Sequence, residues 1–137
     1  MGAHEAYRER DITDELAVLP GMFNAEHGEQ ASEELLARPD APTALVAGGN
    51  QLLVGVLRTL LRRDLRFPTD VSLLTCDDTE ITTVLRPHIG AVSRNNLETG
   101  RTAADLLLRR LRSPDAGPET ITLETRFAPG QSCAPPR

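Results

Sequence analysis

The stretch from Pro42 to Asp78, PTALVAGGNQLLVGVLRTLLRRDLRFPTDVSLLTCDD, constrains this chain more than any other. It reads as strand, helix, strand. Residues 43–47 form a short apolar run that Gly48 and Gly49 interrupt. Asn50 stands where a helix N-cap belongs, its side chain free to accept from the first unpaired N–H groups. Apolar residues then fall at 52, 53, 56, 57, 60 and 61, a stripe at helical spacing. Arg62 and Arg63 close the helix, where positive charge suits the dipole. Phe67 and Pro68 turn the chain, and residues 71–75 form a second apolar run. Parallel strands joined by a helix make a right-handed crossover, which puts both strand carboxyl ends on one edge of the sheet. Asn50 and the pair Asp77 and Asp78 therefore emerge side by side, at the edge where open α/β sheets bind ligands.

The rest of the chain extends this pattern. Residues 5–10 look like the end of a helix, and 16–19 are a strand candidate stopped by Pro20 and Gly21. Asn24 can cap a helix running to about Ala37, although Gly28 inside it costs ~1 kcal/mol relative to alanine. After the central unit, 79–85 is a short helix that Asp78 or Thr79 can cap, and 89–93 is a short strand. The longest helix is predicted over 97–111, with Asn95 and Glu98 at capping-box spacing. Residues 121–127 alternate, with Ile121, Leu123, Thr125 and Phe127 on one side, as a half-buried strand does. The tail over 129–137 holds three prolines and a glycine and is expected to be loose. Strands alternating with helices predict an α/β fold, a mainly parallel sheet with helices on both faces. At 137 residues this is one domain, expected as a core over about 14–93, a crossover helix, a terminal strand over 120–128 and the tail.

Composition removes several functions. All 15 basic residues are arginine, so Schiff-base chemistry and a P-loop lysine are excluded. Asp77, Asp78 and Thr79 resemble the acidic cluster of phospho-receiver domains, but those also need a lysine. His4, His27 and His88 lack metal-ligand spacing, and Ser72, Ser93 and Ser132 lack a nucleophile-elbow context. No metal, cofactor or enzymatic activity is expected. The net charge of -5 argues against a nucleic-acid surface in these residues. The charged start MGAHEAYRERD is no signal peptide, and no apolar run reaches membrane-spanning length, so a cytoplasmic location without membrane contact is expected. Asp77 can accept paired hydrogen bonds from vicinal hydroxyls, while an Asn50 side chain both donates and accepts. The competing reading is that Asn50 and Asp78 only cap helices and Asp77 is solvated.

From about Leu16 to Pro136 the chain resembles the ligand-sensing domain of the lactose-repressor (LacI/GalR) family of transcription regulators. The resemblance is carried by PTALVAGGNQLLVGVLRTL, LRFPTDVSLLTCDDTE, RPHIGAV and GRTAADLLLRRL, taken together and in this order. It implies a type I periplasmic-binding-protein fold in which two similar subdomains close on an effector. Asn50 and Asp77 match positions that commonly bind effector, often sugar hydroxyls. Arg94 and Asn96 match crevice-side positions that vary with the effector. Gln51 stands where the family commonly has aspartate, and Gly130-Gln131 where it has a basic residue. The family places a dimer face on the helices that carry Leu52, Val56, Ile81, Val84 and Leu85. For Val84 and Leu85 a core role stays equally open. A small-molecule effector, a carbohydrate above all, and a homodimer partner are implied. Operator DNA is implied only through a helix-turn-helix outside these residues. A solute-binding protein of the same fold is the alternative. On this reading most of the first subdomain also lies outside, and the helix over 97–111 belongs to it. Its apolar face is then expected to project, to fold back, or to meet a second copy.

Overall fold

A computed structural model describes residues 2–12 and 16–135. The elements run α1 (Gly2–Arg8), α2 (Ala25–Leu36), β1 (Ala44–Ala47), α3 (Asn50–Arg62), β2 (Ser72–Thr75), α4 (Glu80–Val84), β3 (Gly90–Arg94), α5 (Asn96–Arg112) and β4 (Thr125–Ala128). Among the described residues the sheet has four strands in the order β1-β2-β3-β4. β1 and β2 pair in parallel from Ala44 opposite Ser72 to Ala47 opposite Thr75. β2 and β3 are parallel, with Leu74 opposite Gly90, and β4 runs antiparallel to β3. The mainly parallel α/β architecture is the one the alternating pattern predicts.

The core forms where the α3 stripe meets the sheet. Leu53, Val56 and Leu60 pack with Leu45, Ala47, Val71, Leu73 and Ile89. Over β1 the helical layer covers one face; Val46, pointing the other way, is 65% exposed. α3 ends in a Schellman turn. Asp64 adopts a left-handed φ of 54°, and the Leu65 N–H returns to the Leu60 carbonyl at 2.9 Å. α2 lies across α3, and the two backbones touch at Gly28 and Gly55. A Cβ on Gly55 would collide with the Ala25 carbonyl oxygen and lie 2.7 Å from the Gly28 carbonyl carbon. Gly28, a weak point by helix propensity alone, is thus what lets α2 sit this close.

Several local expectations are revised. α1 spans Gly2–Arg8, two residues short of the helix end expected at Arg10. Residues 16–20 form no strand; the segment rests against α2, where the Leu19 carbonyl meets the His27 ring. Asn50 is the first helical residue of α3 and not its cap: Gly49 takes that position, with no side chain to cap with. Asn95 does cap α5, accepting from the Glu98 N–H at 3.1 Å.

The terminal strand is shorter than its alternation suggests. β3 ends at Arg94, opposite Thr125, so residues 121–124 run past the last available partner. Phe127, expected to face the core, is exposed. The tail, in contrast, is pinned. β3 starts only opposite Leu74, which leaves the β2 edge at Ser72 and Leu73 unpaired, and the tail fills it. The Leu73 N–H donates to the Ser132 carbonyl at 2.9 Å. Ser132 is fully buried; its hydroxyl donates to the Leu73 carbonyl and accepts from the Gly90 N–H at 2.9 Å. The Ala134 N–H donates to Ser72 Oγ at 3.0 Å. Residues 14 and 15 of the expected core, and Pro136 and Arg137 of the expected tail, lie outside the described residues.

α5 projects from the sheet with no buried residue. Leu97, Leu107, Leu108 and Leu111 are all exposed, so the first of the three expectations for its apolar face holds.

Candidate functional site

The carboxyl ends of the three parallel strands deliver Gly48 to Asn50, Cys76 to Asp78, and Arg94 to one edge. Asp77 joins them. Its Oδ2 accepts the backbone N–H of Asn50 at 3.2 Å, across 27 residues of sequence. Its Oδ1 accepts from Arg94 Nη2. The first N–H groups of a helix have no internal partner, and the Gly49 cap offers none. The Asp77 carboxylate serves in its place, and its charge also suits the positive helix end. The Asp77 side chain is 19% exposed and that of Arg94 56%, so the pair sits at an open mouth rather than inside the core.

This arrangement refines the expected convergence. Asn50 and Asp77 meet through the Asn50 backbone, and the Asn50 side-chain amide makes no hydrogen bond among the described residues. Arg94 joins them. Asn96, the first residue of α5, is exposed and makes no hydrogen bond to the group among the described residues. Asp78 keeps a structural role, its Oδ1 accepting from the Thr82 hydroxyl at 3.0 Å. Thr79 is the N-cap of α4, but its side chain makes no capping bond.

Phe23 completes the edge, and the sequence reading missed it. A Cβ on Gly49 would collide with the Phe23 ring and lie 2.9 Å from Asp77 Oδ2, so the ring packs directly on the Gly49 backbone beside the carboxylate. Phe23 is nonetheless 58% exposed. The available signal was a phenylalanine just before a helix cap in a chain with only 3% aromatic residues. An aromatic face beside an ion pair offers what a hydroxylated ring needs: apolar contact on one side and charged hydrogen-bond partners at its edge.

Cys76 lies at the same edge, directly before Asp77. Burial pushes the Cys76 thiol up, the Asp77 charge adds to this, and Arg94 only partly offsets it. The thiol therefore stays protonated at neutral pH, the opposite of an activated nucleophile. Among the described residues no cluster of three His, Cys, Asp or Glu side chains is placed to hold a metal ion.

The candidate dimer residues divide. Val56 is 7% exposed and belongs to the core, so its assignment to an interface is corrected; its position in the α3 stripe points it at the sheet. Leu52 and Leu85 are half-buried and pack on the same core. Ile81 and Val84 remain on the surface.

The sequence profile described as "Periplasmic binding protein-like domain" matches residues 2–133. The ribose operon repressor of Haemophilus influenzae is 28% identical over 107 residues, covering 78% of this chain and 32% of that repressor. A LacI family transcriptional regulator from Enterococcus faecium, solved with bound ribose, superposes with a TM-score of 0.83 at 30% identity, covering 99% of this chain and 51% of that one. The regulator CelR in its cellobiose complex superposes with a TM-score of 0.84 at 29% identity, covering 96% and 40%. The chain thus spans about a third of the length of the curated relatives it matches. No described helix is long and apolar enough to cross a membrane.

Proposed function

This chain belongs to the periplasmic-binding-protein-like domain family, among LacI-type regulators, and from that premise we propose that it forms one wall of an effector-sensing cleft in such a regulator. The effector is a carbohydrate or a comparably hydroxylated small molecule. The observation that carries this reading is the Asp77 constellation: a carboxylate held between the α3 N-terminus and Arg94, with the open Phe23 ring beside it. Ribose and cellobiose in the structural relatives support the ligand class. The relatives are repressors, which supports a regulatory role rather than a catalytic one.

In the mechanism we infer, the ligand lies on the Phe23 ring while its hydroxyls share the outer lone pairs of Asp77. Arg94 then turns part of its guanidinium to a ligand oxygen, and the free Asn50 amide supplies both a donor and an acceptor. A second wall, outside these residues, closes over the exposed side of the ligand. Closure is favoured only by the difference in ligand affinity between the open and closed forms. Such closure alters how two copies present their DNA-binding parts, so effector and operator affinities are coupled, typically by 5- to 150-fold. Operator DNA binding and the homodimer, with Ile81 and Val84 on its face, belong to that larger assembly.

The test is an NMR titration of the chain with ribose and with cellobiose. With one wall, affinity is weak, and the shifts are expected to cluster at Phe23, Gly49, Asn50, Asp77 and Arg94. Asp77→Ala is expected to weaken binding by ~1.5–3 kcal/mol, the range for hydrogen bonds to a charged group, or roughly tenfold to a hundredfold. Shifts that cluster elsewhere, or an affinity indifferent to Asp77→Ala, would reject the site.

A further inference from the structure

The segment that carries Phe23 has no ladder to hold it. Residues 16–19 pair with no strand, and Pro20 and Gly21 follow. Phe23 is itself more than half exposed, so its own burial does not fix it either. The restraint comes from the first turn of α2. Three atoms of the His27 ring, Nδ1, Cε1 and Nε2, fill the space that a Cβ on Gly21 would take, so the imidazole packs directly on the Gly21 backbone. Its Nε2 lies 3.4 Å from the Leu19 carbonyl oxygen. A carbonyl only accepts, so Nε2 carries the proton of that bond. The His27 backbone N–H donates to Asn24 Oδ1 at 2.8 Å. The Asn24 N–H in turn donates to the Met22 carbonyl at 2.9 Å. Residues 19 to 24 are therefore tied at both ends to one helical turn, and Phe23 lies between the ties.

We propose that His27 is a positioning residue for the ligand site: it holds this arm on α2 and so presents the Phe23 ring over Gly49, beside Asp77. An aromatic wall ordered before the ligand arrives loses less conformational freedom on binding. The glycine at 21 belongs to the same device, because any larger residue would expel the imidazole. Its backbone φ is not positive, so a side chain there meets the ring rather than a backbone barrier. The inference rests on the reading of this edge as an effector site, but the placement of Phe23 is measurable without a ligand.

The Phe23 ring current displaces the Gly49 proton resonances, and Phe23→Leu supplies the reference without it. His27→Ala is expected to move the Gly49 resonances most of the way to that reference. His27→Gln, whose side-chain nitrogen reaches the same carbonyl, is expected to keep them near wild type. Gly21→Ala, which wedges a methyl into the imidazole's place, is expected to act as His27→Ala does while leaving the histidine in the sequence. Circular dichroism of each variant checks that the fold persists. With whichever of ribose and cellobiose the wild-type chain binds, His27→Ala and Phe23→Leu are expected to weaken binding by equal factors, and the double variant by no more than either. Gly49 resonances that stay at wild-type positions in both His27→Ala and Gly21→Ala overturn the inference. Displaced Gly49 resonances in a chain that binds neither sugar uphold the positioning role and count against the carbohydrate reading instead.

Discussion

The crossing of α2 over α3 allows one substitution to separate helix propensity from packing. Gly55→Ala removes a glycine from the middle of α3 and by propensity alone should stabilise the helix by ~1 kcal/mol. The structure gives the opposite sign. The new Cβ would lie 2.7 Å from the Gly28 carbonyl carbon and closer still to the Ala25 carbonyl oxygen, where ordinary contact begins near 3.4 Å. Both obstacles are backbone, so no rotamer relieves them, and the helices must separate until the Ala25 carbonyl oxygen clears the new methyl. Overpacking of this kind costs about 1–3 kcal/mol. The separation also stretches the bond from the buried Thr59 hydroxyl to the Glu29 carbonyl, now 3.2 Å, and loss of a buried hydrogen-bond partner costs ~1–3 kcal/mol when complete. After the propensity gain, a net loss of about 1–3 kcal/mol is expected, or a fall of roughly 4–12 °C in Tm for a domain of this size. Urea denaturation should show a lower midpoint with an unchanged slope. Gly100→Ala in α5 is the control, because no atom lies within 4 Å of its Cβ; it should raise α5 helicity and slow its amide exchange. A Gly55→Ala chain more stable than wild type would refute the close approach.

Three further outcomes are expected. Ser132→Ala removes the hydroxyl that joins the Leu73 carbonyl to the Gly90 N–H, leaving the Gly90 N–H without its partner and the Leu73 carbonyl with only the weak Cys133 thiol donor at 3.6 Å; a loss of about 1–3 kcal/mol in urea denaturation is expected, and a change under about 0.5 would mean the tail is not pinned as described. The exposed leucines of α5 should make the chain associate as its concentration rises, seen by light scattering, with Leu108→Arg abolishing the effect; a monodisperse monomer at high concentration would contradict this. Cys76 should resist alkylation at pH 7.5 while the exposed Cys133 reacts, because burial and the Asp77 charge hold the Cys76 thiol protonated. The sign for stability follows: a folded pKa above the unfolded value favours the fold below the unfolded thiol pKa, and that contribution is lost as pH rises through the folded one. Mass spectrometry of the labelled chain decides the first part.

The elements and their order are legible in the amino-acid pattern, because their signals are local and periodic. The α3 stripe, the two apolar strands around it and the Asn95 cap are each encoded within a few residues. The hand of a parallel crossover is nearly invariant, so those elements alone place Asn50 and Asp77 at one edge. The motifs from 42 to 111 carried the family in the same way. Contacts between segments remote in sequence are set only in the folded chain. The Asp77 carboxylate meets the Asn50 N–H, not its side chain, because α3 begins one residue earlier than a capping asparagine would place it. Arg94 pairs with Asp77 only because β3 lies next to β2 in parallel register. Gly28 and Gly55 carry no periodic signal; their meaning is the distance between two helices. Ser132 sits in a proline-rich tail that reads as loose, and only the unpaired edge of β2, 59 residues away, makes it a buried anchor. Local patterns fix torsion angles and faces, but the separation and register of packed surfaces arise from the sum of all side chains between them, and no short window of sequence contains that sum.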